Sequence, residues 1–136
     1  MARSRTHTIN KITDRDTNRA YLRDCGIPLG EARCLAAIGR YAPLSVNDLA
    51  LAANLNKGQA SRSAQALVER GLIEKKESAA DGRGVVLSPT AAGQAQYRRI
   101  MDLIARRNEE IFACLSADEQ RQLGDMLDRL IAHQRG

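Results

Sequence analysis

The feature that most constrains the fold is a pair of short helical segments, separated by only a few residues, in the middle of the chain. The first opens at Ser45, and Asp48 follows three residues later, a spacing that satisfies exposed N–H groups at a helix start. The second runs from about Lys57 to Arg70 and stops at Gly71. Its apolar residues recur at helical spacing on one face: Ala60, Ala64, Leu67 and Val68. The pattern predicts two helices that pack through small residues and leave the polar face of the second helix open.

A short β-hairpin is predicted directly after this pair. Residues 72–77 have the pattern of a strand, residues 81–84 form a turn cluster, and residues 85–87 form a β-branched return strand. The tip, at about residues 78–84, is expected to be exposed. Helix, turn, helix and hairpin in this order predict a winged helix–turn–helix.

Helical patterns flank this centre at residues 8–24, 29–41, 90–113 and 116–133. The last of them is preceded by a capping sequence, Ser116 to Glu119. The two C-terminal helices carry more apolar surface than a small winged domain can cover, which favours burial against a second copy. The predicted fold class is therefore mainly α with a small β-hairpin wing.

The polar face of the second central helix carries residue types that bind DNA. Arg62 and Gln65 can donate paired hydrogen bonds to guanine or adenine edges in a major groove, which admits one helix. Other polar residues of this helix are expected to reach base edges or phosphates: Lys57, Gln59, Ser61 and Ser63. Arg83 stands between two glycines at the hairpin tip, from which an arginine can enter a narrow minor groove.

The charge distribution fits a polyanionic partner. The 136 residues carry a formal charge of +5. Residues 1–24 contribute +3 and residues 57–83 contribute +2, whereas residues 25–56 and 84–136 are each neutral. A basic excess confined to particular segments is typical of nucleic-acid binding.

A longer motif supports the same interpretation. Its residues are the block from Leu44 to Ala50, then Lys57, Ser61, Arg62 and Leu67, then Gly71, Leu72 and Ile73, and finally Asp81, Arg83, Thr90 and Gly93. Over residues 12–131 the chain resembles the MarR family of bacterial transcriptional regulators (multiple antibiotic resistance regulator). The spacing of the last four motif residues fits the family pattern without a gap.

The resemblance implies a homodimeric regulator that binds double-stranded DNA in the cytoplasm. Such a protein is expected to repress a palindromic operator and to be released by a small-molecule effector. The resemblance implies one domain over residues 1–136, with dimerisation helices at 8–26 and 90–134 and a DNA-binding lobe at 29–89. Two recognition helices about 34–36 Å apart would match half-sites one helical turn apart.

The resemblance also assigns individual residues. Ser45 joins the DNA-binding candidates, and Asp81 is expected to position Arg83 rather than to touch DNA. An effector pocket is expected between the winged lobe and the dimerisation helices, where three tyrosines are candidates for its lining: Tyr21, Tyr41 and Tyr97.

Several classes of protein are excluded by pattern. The three cysteines are widely spaced and the two histidines lie near opposite ends of the chain, so neither a metal site nor a cofactor is expected. Catalytic pairings and phosphate-cradling glycine loops are not visible, so an enzyme is not expected. No apolar run approaches the roughly 18–20 residues of a membrane span, and the N-terminus lacks the apolar region of a secretory signal.

Two alternatives stay open. The first is a redox-responsive regulator acting through Cys25, which follows the first helix beside Arg23, although Asp24 and the helix C-terminus both disfavour a thiolate. In this interpretation Cys34 and Cys114 are small core residues. The second is a winged-helix interaction module, which predicts weak, sequence-independent DNA binding and a function that survives substitution of Arg62 and Arg83.

Overall fold

The computed structural model describes residues 5–78 and 84–136. These residues form six helices and one two-stranded antiparallel sheet, which confirms the predicted mainly helical fold with a hairpin wing. In chain order the elements are α1 (Arg5–Cys25), α2 (Leu29–Tyr41), α3 (Val46–Ala52), α4 (Lys57–Glu69), β1 (Ile73–Ser78), β2 (Gly84–Pro89), α5 (Ala91–Phe112) and α6 (Ala117–Arg135).

The chain divides into two compact units, Met1–Ile104 and Ala105–Gly136. The core of the first unit is aliphatic, as a sequence without Trp and with a single Phe requires. Its largest fully buried side chains come from five elements: Leu35, Ile38, Leu49, Leu67, Leu87, Ile100 and Leu103. In residues 5–77 and 84–136, no polar or charged residue is buried.

A three-residue turn joins α1 to α2. Gly26 ends α1 with φ +70°, a left-handed conformation that glycine adopts without strain. Pro28 stands at the N-cap of α2 and supplies no side-chain cap. The Asn18 side chain of α1 supplies the cap instead, because its Oδ1 accepts a hydrogen bond from the Leu29 N–H at 2.8 Å. The start of α2 is thus fastened to α1.

The wing is joined to the loop that precedes α3. Strands β1 and β2 pair in an antiparallel register from Ile73 opposite Pro89 to Ser78 opposite Gly84. Leu44 adds a bridge to β2, with two backbone hydrogen bonds to Leu87 of 3.1 and 2.7 Å. The base of the wing is therefore held from two sides.

Close approach of α2 and α5 depends on a glycine. A Cβ atom at Gly39 would lie 2.3 Å from the ring of Tyr97, so the bare α-carbon makes room for the aromatic ring. Tyr97, a candidate for the effector pocket, instead packs between these two helices.

Helix α6 lies in the second unit. Its start is capped as predicted, because Ser116 Oγ accepts from the Glu119 N–H while the Glu119 carboxylate accepts from the Ser116 N–H. These hydrogen bonds lower the pKa of Glu119. None of the 19 residues of α6 is buried. Across the described residues, no helix is both long and apolar enough to cross a bilayer.

Candidate nucleic-acid interface

Helices α3 and α4 cross at small residues, as the sequence predicted. Ala53 and Ala60 are buried, and Leu49 of α3 is fully buried. Between the helices, Asn54 adopts φ +55°, a conformation that asparagine tolerates better than most residues. The Leu55 N–H returns to the Ala50 carbonyl at 2.9 Å. This compact turn directs the two helices apart and leaves one side of α4 uncovered.

The start of α4 is fixed by a side-chain cap at Asn56. Asn56 Oδ1 accepts from the Gln59 N–H at 2.8 Å, and Gln59 Oε1 accepts from the Asn56 N–H at 3.1 Å. Gln59, a predicted DNA contact, is exposed, but its amide oxygen serves this cap. The reciprocal pair is a capping box in which Asn takes the place of the more common Ser or Thr.

The open face of α4 is cationic. Lys57, Ser61 and Arg62 are all exposed. A Cβ atom at Gly58 would lie 3.3 Å from Arg62 Nη1, so this glycine leaves room for the guanidinium along the first turn. Within the described part of the chain, neither Lys57 nor Arg62 makes an ion pair. Both charges therefore face solvent without a counter-charge from the described residues.

The prediction that Ser63 lies on the exposed face of α4 is wrong. Ser63 is half-buried, its Oγ lies 3.7 Å from the position that a Cβ atom would take at Gly30, and it hydrogen-bonds Cys34. The physical reason is helical geometry, because three residues advance about 300° around a helix and bring Ser63 back within about 60° of Ala60. Ser63 therefore faces α2 rather than the open side.

Gln65 connects α4 to the wing. Its Oε1 accepts from Lys75 Nζ of β1 at 2.9 Å, and its Nε2 lies 3.4 Å from Glu69 Oε1. Gln65 is exposed, as predicted for a residue that reads bases, but its side chain also holds a wing lysine. Both lysines of β1, Lys75 and Lys76, are exposed.

Of the remaining DNA-binding candidates, Ser45 lies at the N-cap of α3. Its Oγ accepts from the Asp48 N–H at 3.1 Å, which confirms the predicted cap, and the hydroxyl proton is not used by that bond. Asp81 and Arg83 lie outside the described residues, so their predicted roles at the wing tip stay predictions.

The cysteines differ in their surroundings. Cys34 is fully buried, as predicted, and burial raises the pKa of its thiol to about 11 despite the hydrogen bond with Ser63. The prediction that Cys114 is a core residue is wrong, because it lies exposed in the turn between α5 and α6. Cys25 is half-buried at the end of α1, and its redox role stays a prediction.

A cleft of about 300 Å³ opens in the first unit where α1, α2, α3 and α5 meet. Tyr21 and Tyr41, two of the predicted lining residues, contribute to it, together with two arginines, Arg33 and Arg40. The Arg40 guanidinium lies 5.3 Å from the centre of the Tyr41 ring. Burial raises the pKa of Tyr21, and nearby Arg33 partly offsets that rise. The cleft thus combines apolar walls with two cations.

Comparison with known proteins gives a consistent result. Residues 26–84 match a model of the MarR family. The transcriptional regulator BilQ of Clostridium symbiosum is 29% identical over 105 residues, which are 77% of this chain and 73% of BilQ. The transcriptional repressor Rv2887 of Mycobacterium tuberculosis is 27% identical over 111 residues, covering 82% of this chain and 80% of Rv2887.

Solved structures agree with these relatives. A cysteine-to-serine mutant of MarR from E. coli, complexed with operator DNA, superposes with a TM-score of 0.81 at 26% identity, covering 92% of this chain and 89% of that one. A regulator from Acinetobacter reaches a TM-score of 0.88 at 22% identity, covering 97% of this chain and 93% of that one, a likeness that speaks for the fold.

Proposed function

We propose that this chain, whose residues 26–84 match a model of the MarR family, is a DNA-binding transcriptional regulator rather than an enzyme and that it acts as a homodimeric repressor. In this proposal the dimer reads a palindromic operator with two copies of α4 and is released when a small molecule occupies the cleft of the first unit.

The observation that carries the proposal is the two-sided character of α4. One face is buried in the core through Ala60, Ala64 and Leu67. The other presents the exposed cations Lys57 and Arg62 without a counter-charge in the described residues. Bringing DNA phosphates against this face would release condensed counterions and give strong, salt-dependent affinity. The guanidinium of Arg62 adds the fork geometry that pairs with guanine.

The proposed dimer rests on apolar side chains that one copy leaves uncovered. On α6 four large residues are each 43–58% exposed: Met126, Leu127, Leu130 and Ile131. On α1, Ile9, Ile12 and Leu22 are each 44–51% exposed. A 19-residue helix without a buried residue gains little from its own chain, since most helical stability comes from packing an apolar face. A second copy that buries these faces supplies that packing.

The proposed effector is a small apolar acid. The cleft has alanine walls from α2 and α3, two tyrosines, and the cations Arg33 and Arg40. An aromatic carboxylate would place its ring against the walls and its charge near an arginine. Because the wall residues Ala52 and Ala53 end α3, an occupant would press on the helix that carries α4. Titration of the protein–DNA complex with substituted benzoates is expected to release the DNA. Arg40→Ala is expected to raise the benzoate concentration needed for release without weakening DNA binding.

The test of the DNA function is a selection of bound sequences from a random duplex library at about physiological salt, where nonspecific affinity is suppressed. The proposal predicts an enriched inverted repeat with half-sites about 10 base pairs apart, centre to centre. Absence of enrichment, with binding that disappears as salt rises, would favour the interaction-module alternative instead.

A further inference from the structure

The turn between α1 and α2 receives hydrogen bonds from two other helical segments. Gln96 of α5 donates from Nε2 to the carbonyl oxygen of Cys25. Arg70, the C-cap of α4, donates from Nη1 to the carbonyl oxygen of Gly26 at 3.5 Å. Two consecutive carbonyl groups therefore accept hydrogen bonds from different helices. The carbonyl of Cys25, the last residue of α1, binds α5, and that of Gly26, the first residue of the turn, binds the end of α4.

The same arginine is also fastened to α2. Arg70 Nε lies 2.7 Å from Glu31 Oε1, and the Glu31 side chain is only 12% exposed. Glu31 lies in the first turn of α2, so the Arg70 guanidinium binds both the start of α2 and the turn that precedes it. A guanidinium can make both contacts at once because its donors form a rigid planar fork, whereas a lysine ammonium is a single point charge.

The turn itself has little freedom to absorb a movement. Ile27 is 2% exposed and is part of the core, and the Asn18 side chain caps Leu29. A movement of α1 or α5 at this turn is therefore expected to displace the Arg70 side chain that hydrogen-bonds it. Chains of packed and hydrogen-bonded groups of this kind carry coupling between distant sites.

We propose that Arg70 is a positioning residue that fixes the orientation of α4 relative to α1 and α5 and thereby sets the spacing between the two recognition helices of the dimer. This inference rests on the proposed function. Arg70 acts through Glu31 and Gly26 and does not itself read bases.

The sign of the Glu31 effect separates positioning from direct DNA contact. If Arg70 bound a phosphate, Glu31 would compete for it, and Glu31→Gln would strengthen DNA binding. A positioning role predicts the opposite, because Glu31→Gln removes the partner that orients Arg70.

The experiment uses the duplex enriched by the wild-type protein in the selection, versions with one or two base pairs added or removed between half-sites, and a duplex with one half-site. Wild type is expected to prefer the original spacing strongly. Arg70→Gln is expected to lose about tenfold on that duplex and less on the altered or single half-site duplexes, so that the preference shrinks. Glu31→Gln is expected to do the same, and the double variant no more than either single one.

Two further variants serve as controls. Arg15→Gln breaks an exposed ion pair within α1, between Arg15 and Asp16 at 3.3 Å, that does not involve α2 or α4, and it is expected to leave the spacing preference unchanged. Arg70→Lys keeps one contact and is expected to restore part of the lost preference. Thermal melting of each variant identifies any that fails to fold, in which case Glu31→Gln and Arg70→Lys carry the test.

Each other outcome is decisive. Uniform loss on all duplexes with Arg70→Gln, or tighter binding with Glu31→Gln, would overturn the positioning role and make Arg70 a phosphate contact. An unchanged spacing preference in both folded variants would overturn the inference alone. Failure of the wild-type protein to prefer any spacing would overturn the proposed function itself.

Discussion

Gly93 packs against the backbone of Leu72 so closely that a Cβ atom at position 93 would lie 1.8 Å from the Leu72 carbonyl oxygen. The same carbonyl accepts a hydrogen bond from the Thr90 N–H at 3.1 Å. Thr90 Oγ1 also donates to the Gly71 carbonyl at 2.7 Å and accepts from the Gly93 N–H at 3.0 Å. Thr90 and Gly93, which the sequence presents as motif residues, therefore join the start of α5 to the end of α4 and the wing.

Gly93→Ala is expected to lower the free energy of unfolding by about 1–3 kcal/mol, because the new methyl group meets backbone that must move. Thermal melting measures the effect, which corresponds to a decrease of roughly 3–10 °C in Tm for a chain of this size. The matched control is Gly124→Ala in α6, where nothing lies within 4 Å of the added Cβ. There the greater helix propensity of alanine predicts a gain of about 0.5–1 kcal/mol. Equal melting temperatures for the two variants would show that the Gly93 contact is not tight.

Two serines of α4 are expected to respond differently. Ser61 is exposed beside Arg62, whereas Ser63 is half-buried and hydrogen-bonds Cys34. Ser61→Ala should weaken binding to the selected duplex by about 1 kcal/mol, the usual value of one hydrogen bond, and Ser63→Ala should leave it unchanged. Fluorescence anisotropy with labelled duplex measures both. A larger loss with Ser63→Ala than with Ser61→Ala would mean that the face of α4 is assigned incorrectly.

Lys57→Ala is expected to weaken binding to every duplex alike, since a phosphate contact carries no sequence information. The slope of log affinity against log salt should fall by about one, because one fewer counterion is released. Titrations at several salt concentrations, on the selected duplex and on a shuffled duplex, measure the slope. A loss confined to the selected duplex would instead identify Lys57 as a base contact.

Leu130→Asp is expected to dissociate the proposed dimer. Leu130 is 58% exposed on α6, and a carboxylate at a buried apolar interface has no compensating partner. Sedimentation at micromolar concentration should then show monomers. Leu51→Asp is the matched control, because Leu51 is 79% exposed but lies on α3. Retention of the dimer in the Leu130 variant would remove α6 from the interface.

The thiol of Cys34 is expected to be the slowest of the three to react with iodoacetamide. Its pKa of about 11 leaves roughly one thiolate in a thousand at pH 8, so the reactive form is scarce, and the side chain is fully buried. Peptide mass mapping over time measures the order of modification, with denatured protein as the reference in which all three react. Labelling of Cys34 as fast as exposed Cys114 would contradict the packing of α2 against α4.

Local sequence signals identified most of the fold. Ser45 and Ser116 cap helices as their spacing predicts, and Gly26 ends α1 in the left-handed conformation. The predicted position of Ser63 was wrong although the helical period is sufficient to correct it, since Ser63 lies only about 60° around the helix from the core residue Ala60. The Asn56 cap was also readable, because Gln59 follows it at capping-box spacing.

Contacts between distant segments could not be predicted in the same way. Arg70 meets Glu31 across 39 positions, and Gln96 meets Cys25 across 71. Charge and amphipathic pattern make these residues resemble ordinary surface positions, and only the packed helices bring them together. The exposure of Cys114 was not predicted for a related reason, because an apolar residue type does not reveal whether other segments of the chain pack against it.

The most direct test of the central claim, that α4 reads DNA sequence, compares wild type with Arg62→Ala on the selected duplex and on a shuffled duplex of equal composition. A base contact by Arg62 predicts a loss of about 1–3 kcal/mol on the selected duplex, with little change on the shuffled one. Equal losses on both duplexes would contradict the claim and reduce Arg62 to a phosphate contact.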